Sequence, residues 1–291
     1  MKYEGKDLMA LKYKLGVGLF LFVTPLVTGS LVVASPSFAA TLAKSEATFK
    51  VNNFSHNPLG VETFTDTLTD TIATNGQVTT NANANASFTA DPLKPPTFAE
   101  NSSVSTANGA GKNYFGLAQS TAAIIGYDFL VRDKQRFSFD FLADLKLKTS
   151  IENPKFERAS AAGEISFQLY NTNERDNWIL LDFFSISSKL NTPGGGDFFI
   201  GNKSNSITTS KPLKDFLKKS YGGSEESARA SVTGKYSRTF DSLTYLTLVE
   251  IKRNQVVVKT PESSGTFALL IFCLIGVGYR ARNKVLASKL R

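Results

Sequence analysis

RFSFDFLADLKLKTSI, residues 136–151, alternates apolar and polar side chains along most of its length. Phe137, Phe139, Phe141, Ala143, Leu145 and Leu147 fall on one side. Ser138, Asp140, Asp144, Lys146 and Lys148 fall on the other, interrupted by Leu142. Successive side chains of a strand point to opposite faces. This spacing therefore predicts a strand with one face in a core and the other in water. Arg132–Gln135 reads as the hairpin turn that leads into it from IIGYDFLV.

The same period of two recurs outward from this stretch. In VETFTDTLTDTI, residues 61–72, Val61, Thr63, Thr65, Thr67, Thr69 and Thr71 share one face, and Glu62, Phe64, Asp66, Leu68, Asp70 and Ile72 share the other. Threonine is β-branched and suits this state. The threonine row reads as a solvated strand surface, with ligand binding as the alternative. Further strands are expected at 163–171, 177–187, 228–238 and 243–252, with a turn at Asn173–Asp176. One helix is expected in SKPLKDFLKKS. Ser210 would cap it, Pro212 would sit in its first turn, and Gly222 and Gly223 would close it. Leu213, Phe216 and Leu217 would be its buried stripe, and Lys218 and Lys219 would complement the helix dipole. Residues 73–113 and 191–209 are rich in Asn, Ser, Thr and Gly and read as loops. The expected fold is mainly β: an antiparallel, jelly-roll-like β-sandwich with one short helix.

Charge separates the body from its flanks. The chain carries a formal net charge of +8, yet residues 40–260 hold 24 basic and 22 acidic side chains. Most of the excess lies at the two ends, where positive charge sets membrane orientation. A nearly neutral body argues against nucleic acid as a partner. The body has no cysteine, the single Cys273 lying in the C-terminal apolar run, and one histidine, His56, in a turn-like Asn-Phe-Ser-His-Asn-Pro setting. Thiol chemistry and cysteine zinc sites are thereby excluded from it, and a serine triad would have to use His56.

Paired carboxylates are the remaining route to hydrolysis. Asp140 and Asp144 share a strand face, but four residues separate them by about 13 Å, beyond the ~5–9.5 Å that glycoside hydrolysis uses. Asp66 and Asp70 have the same spacing. No phosphate-binding loop, dinucleotide motif or metalloprotease helix is present. Asp197 and nearby loop carbonyls are the one place to consider for Ca2+, and the usual density of Asp-x-Asp ligands is missing there. No cofactor, no metal site and no enzyme activity are expected. A secreted carbohydrate-active enzyme, with carboxylates meeting across strands, is the competing reading.

The N-terminus has Lys2, Lys6, Lys12 and Lys14, then an apolar run from Leu15 to Val33, then Ser-Pro-Ser-Phe-Ala-Ala. This is the order of a secretory signal peptide, with cleavage expected after Ala39 or, as the alternative, Ala40. Translation would start at Met1 or at Met9. At the other end, Pro261-Glu262-Ser263-Ser264 precedes Gly265–Tyr279, which is uncharged for 15 residues, and Arg280, Arg282 and Lys284 follow. As a helix this run spans about 22 Å, against a hydrocarbon core of about 30 Å.

This tail, behind a signal peptide, resembles a PEP-CTERM sorting signal. The resemblance covers about 259–284. Pro261 and Glu262 match the usual Pro-Glu-Pro, Ser263 replaces the second proline, and the chain continues past the basic cluster. The resemblance implies export through the translocon, removal of the leader by signal peptidase, and processing near the motif by an exosortase. Pro261, Glu262 and Ser263 would then be recognition residues, and Arg280 and Arg282 would hold the helix in register. The mature protein would be a non-enzymatic component of the cell surface or extracellular matrix, with extracellular polysaccharide as a partner. The expected organisation is a signal peptide at 1–39, a β body at 40–258 and a sorting segment at 259–291. A simple single-pass anchored surface protein is the other alternative.

Overall fold

The computed structural model describes residues 40–90, 97–174 and 177–260. They form one antiparallel sheet of eleven strands with a single short 3₁₀ turn. The strands are β1 (Ala40–Asn52), β2 (Gly60–Thr89), β3 (Phe98–Val131), β4 (Arg136–Ile151), β5 (Arg158–Asn171), β6 (Ile179–Thr192), β7 (Phe198–Lys203), β8 (Ile207–Thr209), β9 (Leu217–Ser220), β10 (Glu225–Thr239) and β11 (Thr244–Lys259).

β4 is the stretch quoted at the outset. Its odd-numbered residues from Phe137 to Leu147 are buried, as the alternation predicts. β5 and β10 contain the strands expected at 163–171 and 228–238, while β6 and β11 start slightly later than the strands expected at 177–187 and 243–252 and run on to Thr192 and Lys259. The mainly β, antiparallel expectation holds.

Three expectations are corrected. Residues 73–113 are not loop: apart from 91–96, which lie outside the described residues, nearly all of them belong to β2 and β3. Asn81, Asn83 and Asn85 point to solvent while Ala82 and Ala86 pack on the core. The alternation is real, but its contrast is amide against methyl. The expected helix after Ser210 is also absent. Leu213–Phe216 makes one 3₁₀ turn and Leu217–Ser220 becomes β9, paired with Ser227–Ala230 of β10. Pairing with an available sheet edge outweighs a weak helical tendency here. Residues 191–209, read as loop, also contribute β7 and β8.

β3 organises the sheet. One of its edges pairs with β2 from Phe98 to Tyr127. The other edge takes β1 over 99–110 and β11 over 115–131. Between these segments Gly111 and Asn113 have φ of 89° and 52°, and the ribbon bends. The strand order is β7-β6-β5-β11-β3-β1-β4-β10-β8, so β7 and β8 lie at the two ends of the path. A short turn joins them, with Ser204 N donating to Phe183 O of β6 and Ser237 N of β10 donating to Ser206 O. The sheet thus curls into a nearly closed, barrel-like wall.

Its interior is aromatic. Phe49 of β1 faces Phe167 of β5 at 5.9 Å, and Phe141 of β4 faces Phe184 of β6 at 4.9 Å between ring centroids. Aromatic pairs at such distances add to what burial itself contributes. No helix among the described residues is long and apolar enough to cross a membrane.

Candidate functional site

The sorting-motif residues Pro261, Glu262, Ser263, Arg280 and Arg282 lie outside the described residues, as do Ala39 and the 265–279 run. Ala40 is described. It is exposed, opens β1 and pairs with Ala110. β11 ends at Lys259, opposite Phe115. Ala40 and Lys259 therefore flank the same bend in β3, one on each side.

Tyr114 ties these two ends together. Its hydroxyl shares a 2.7 Å hydrogen bond with Thr41 Oγ1. Its backbone N–H donates to Thr260 Oγ1 at 3.1 Å, and its carbonyl accepts from Thr260 N at 3.0 Å. The ring is buried and lies over Gly109, where an added Cβ would stand 2.1 Å from Tyr114 Cε2. Burial raises the phenol well above its ordinary value; the Thr41 hydrogen bond opposes this, and the charge of Glu157 adds to it. Glu157 is itself enclosed, accepting the N–H groups of Glu152 and Asn153, each at 2.7 Å. The site is a hydrogen-bonded clamp that joins the two ends of the described body.

The other expected candidates are scattered. His56 sits in the β1–β2 turn between Ser55 Oγ at 2.9 Å and Gln135 Oε1 at 3.3 Å. Asp140 accepts from Asn53 Nδ2 at 2.8 Å, while Asp144 pairs with Lys146 at 2.9 Å and Arg229 at 3.5 Å. These two carboxylates face outward from β4 and serve separate contacts. Asp197 accepts the Asn191 N–H at 2.8 Å and so closes the turn between β6 and β7. No group of three or more His, Cys, Asp or Glu side chains stands together among the described residues.

No protein-family model matches the chain, and no curated protein matches it.

The threonine row is exposed along β2 from Thr63 to Thr71. Where β2 doubles back with β3, Thr65, Asp66 and Thr67 come opposite Ala82, Asn83 and Ala84 across an open groove of about 380 Å³. Hydroxyl, carboxylate and amide groups line it, the donor and acceptor types that a polyhydroxylated ligand would meet.

A second polar group was missed in the sequence. Glu250, Lys252 and Asn254 lie on the inward face of β11, with Asn101, Ser103 and Ser105 of β3 against them. The signal was present: Glu250 and Lys252 share parity with Leu246, Leu248, Val256 and Val258, so alternation places both in the core.

Proposed function

We propose that the chain is an exported, non-enzymatic protein of the cell surface or extracellular matrix, whose C-terminal segment is a sorting signal processed by an exosortase. The observation that carries this reading is the Tyr114 clamp. β1 begins at Ala40, beside the expected leader cleavage sites, and β11 ends at Lys259, just before Pro261 and Glu262. The last backbone hydrogen bond between this end and the clamp is made by Thr260. Cleavage after Ala39 and near residue 260 would leave every strand of the described residues intact, which suits two processing steps at one end of a folded body.

In this reading the body acts as a jelly-roll-like sandwich, with the β1 and β4 side packed on the β11, β5 and β6 side. The outward carboxylates of β4, Asp140 and Asp144, are engaged by asparagine, lysine and arginine, which favours a binding or structural role over hydrolysis. The polar groove of β2 would receive extracellular polysaccharide. Signal peptidase, the translocon and an exosortase are the processing partners, and the inner membrane is a transient station through the apolar run 265–279.

The test is the intact mass of the protein from its native host, in membrane and culture fluid, for wild type and Glu262→Ala. A released wild-type form ending near residue 260, absent in the variant, is the expected result. A single membrane-bound form retaining residue 291 in both would overturn the reading.

A further inference from the structure

The interior of the sheet holds an arrangement that packing alone does not require. Glu250 and Lys252 of β11 point inward and are fully enclosed. Lys252 Nζ donates to Glu250 Oε1 at 2.9 Å. Glu250 Oε2 accepts from Asn101 Nδ2 of β3. One carboxyl group therefore holds an amine on one oxygen and a carboxamide on the other. The Asn101 Oδ1 is buried without a hydrogen-bond partner among the described residues. The Phe49 ring lies 5.7 Å from Lys252 Nζ and itself packs against Phe141 and Phe167, so the amine borders the aromatic core.

An ion pair is a poor use of this place, because desolvating both charges costs about as much as their attraction returns. Burial instead favours the neutral forms. It raises the Glu250 carboxyl and lowers the Lys252 amine, outweighing the attraction and hydrogen bond between the two, which oppose both shifts, and the smaller effect of Glu100 on the amine. A neutral amine is a nucleophile, and a carboxyl group touching both reactants can carry protons between them.

We infer that Lys252 and Asn101 become joined by an isopeptide bond, formed within the folded body and promoted by Glu250. Lys252 Nζ adds to Asn101 Cγ. Glu250 accepts a proton from Nζ on its Oε1 side and supplies one to Nδ2 on its Oε2 side. The Cγ–Nδ2 bond breaks and ammonia leaves. One amide is exchanged for another, with no oxidant, reductant or cofactor. The product ties β11 to the half of β3 that pairs with β1, across the core. A body without cysteine gains a covalent cross-link of the kind that disulfides give other exported proteins.

The bond is read directly by mass. The protein from its native host is expected to weigh one ammonia less than its mature sequence, and its protease digest to yield a branched peptide holding both Asn101 and Lys252. Glu250→Gln is expected to retain the full mass and give only linear peptides. Linear wild-type peptides containing Asn101 and Lys252 would overturn the inference. This holds even if ammonia is lost, because succinimide formation at Asn75-Gly76 or Asn108-Gly109 loses the same mass without a branch. A branched peptide persisting in Glu250→Gln would overturn the role assigned to Glu250. None of these outcomes depends on how the C-terminal segment is processed.

Discussion

Ser105 and Ser120 lie on the same strand, fifteen residues apart, and their hydroxyls share a 2.9 Å hydrogen bond. Fifteen residues of straight strand would span about 50 Å. β3 is therefore doubled back on itself at Gly111–Asn113, and one strand furnishes both walls of the core. β2 follows it round the same bend, so a single long hairpin sets the architecture, and β1 and β11 meet at its corner.

This corner has room for glycine alone at residue 109. A Cβ there would fall 2.1 Å from Tyr114 Cε2, and the ring is held by the Thr41 hydrogen bond. Gly109→Ala is expected to lower stability by about 1–3 kcal/mol, the usual cost of overpacking. The denaturant midpoint gives the loss. Removing the ring should abolish it, so Gly109→Ala should cost little in a Tyr114→Ala background. Equal costs in both backgrounds would show that the ring is not the obstacle.

Alkaline pH should weaken the body at its tyrosines. Burial raises the phenols of Tyr114, Tyr127 and Tyr236, and the Glu62 and Asp182 charges raise the latter two further. The folded state thus holds these protons more tightly than the unfolded chain, whose phenols titrate near 10. Their contribution is fully present below about pH 10 and declines above it, toward the raised folded values. Unfolding temperature and tyrosinate absorbance, followed together with pH, should show ionisation coinciding with unfolding. Three phenols that ionise near pH 10 in a still-folded protein would contradict this account.

Legibility in the sequence followed contrast. β4 was readable because Phe and Leu alternate with Asp and Lys. The 61–72 part of β2 was readable too, but its remainder and most of β3 were not, because the inward residues of the bend are small: Ala99, Ser103, Ser105 and Ala107 fill the narrow space inside it. A strand of Ala, Ser and Asn has the right period and almost no amplitude, so its composition resembles a loop. Leu213–Ser220 was misread because β9 exists only through the neighbouring edge of β10. The Tyr114 clamp and the Glu250–Asn101 contact join residues 146 and 149 positions apart, and no local pattern encodes such meetings.

The register of β4 can be tested side by side. Phe141 is buried, stacked 5.9 Å from Phe49 and tilted against Phe184 at 4.9 Å. Phe141→Ala should cost about 3–5 kcal/mol, transfer and cavity terms combined. Leu142, the next residue, faces outward and is half-buried. Leu142→Ala should shift stability by no more than about 0.5 kcal/mol, as for a surface substitution. Comparable losses at the two positions would mean that the strand is not held in this alternation.

The seam between β6 and β10 offers the last prediction. Asp182 accepts from Tyr236 OH and Arg238 Nη1, both at 3.0 Å, and its side chain is only 4% exposed. Asp182→Ala would strand a buried phenol and release the arginine, at a cost of about 1–3 kcal/mol for the unpaired hydroxyl. Replacing Tyr236 by Phe in the same chain should recover part of this loss, because the orphaned group is then gone. The damage should also be local. The Ser204 and Ser237 amides, which join the β7–β8 turn to β6 and β10, should exchange with solvent faster in Asp182→Ala, while β1 amides such as that of Ala47 hold their rate. Faster exchange throughout the sheet would instead make Asp182 a support of the whole core. Protection unchanged at Ser204 and Ser237 would mean that backbone pairing alone keeps the wall nearly closed.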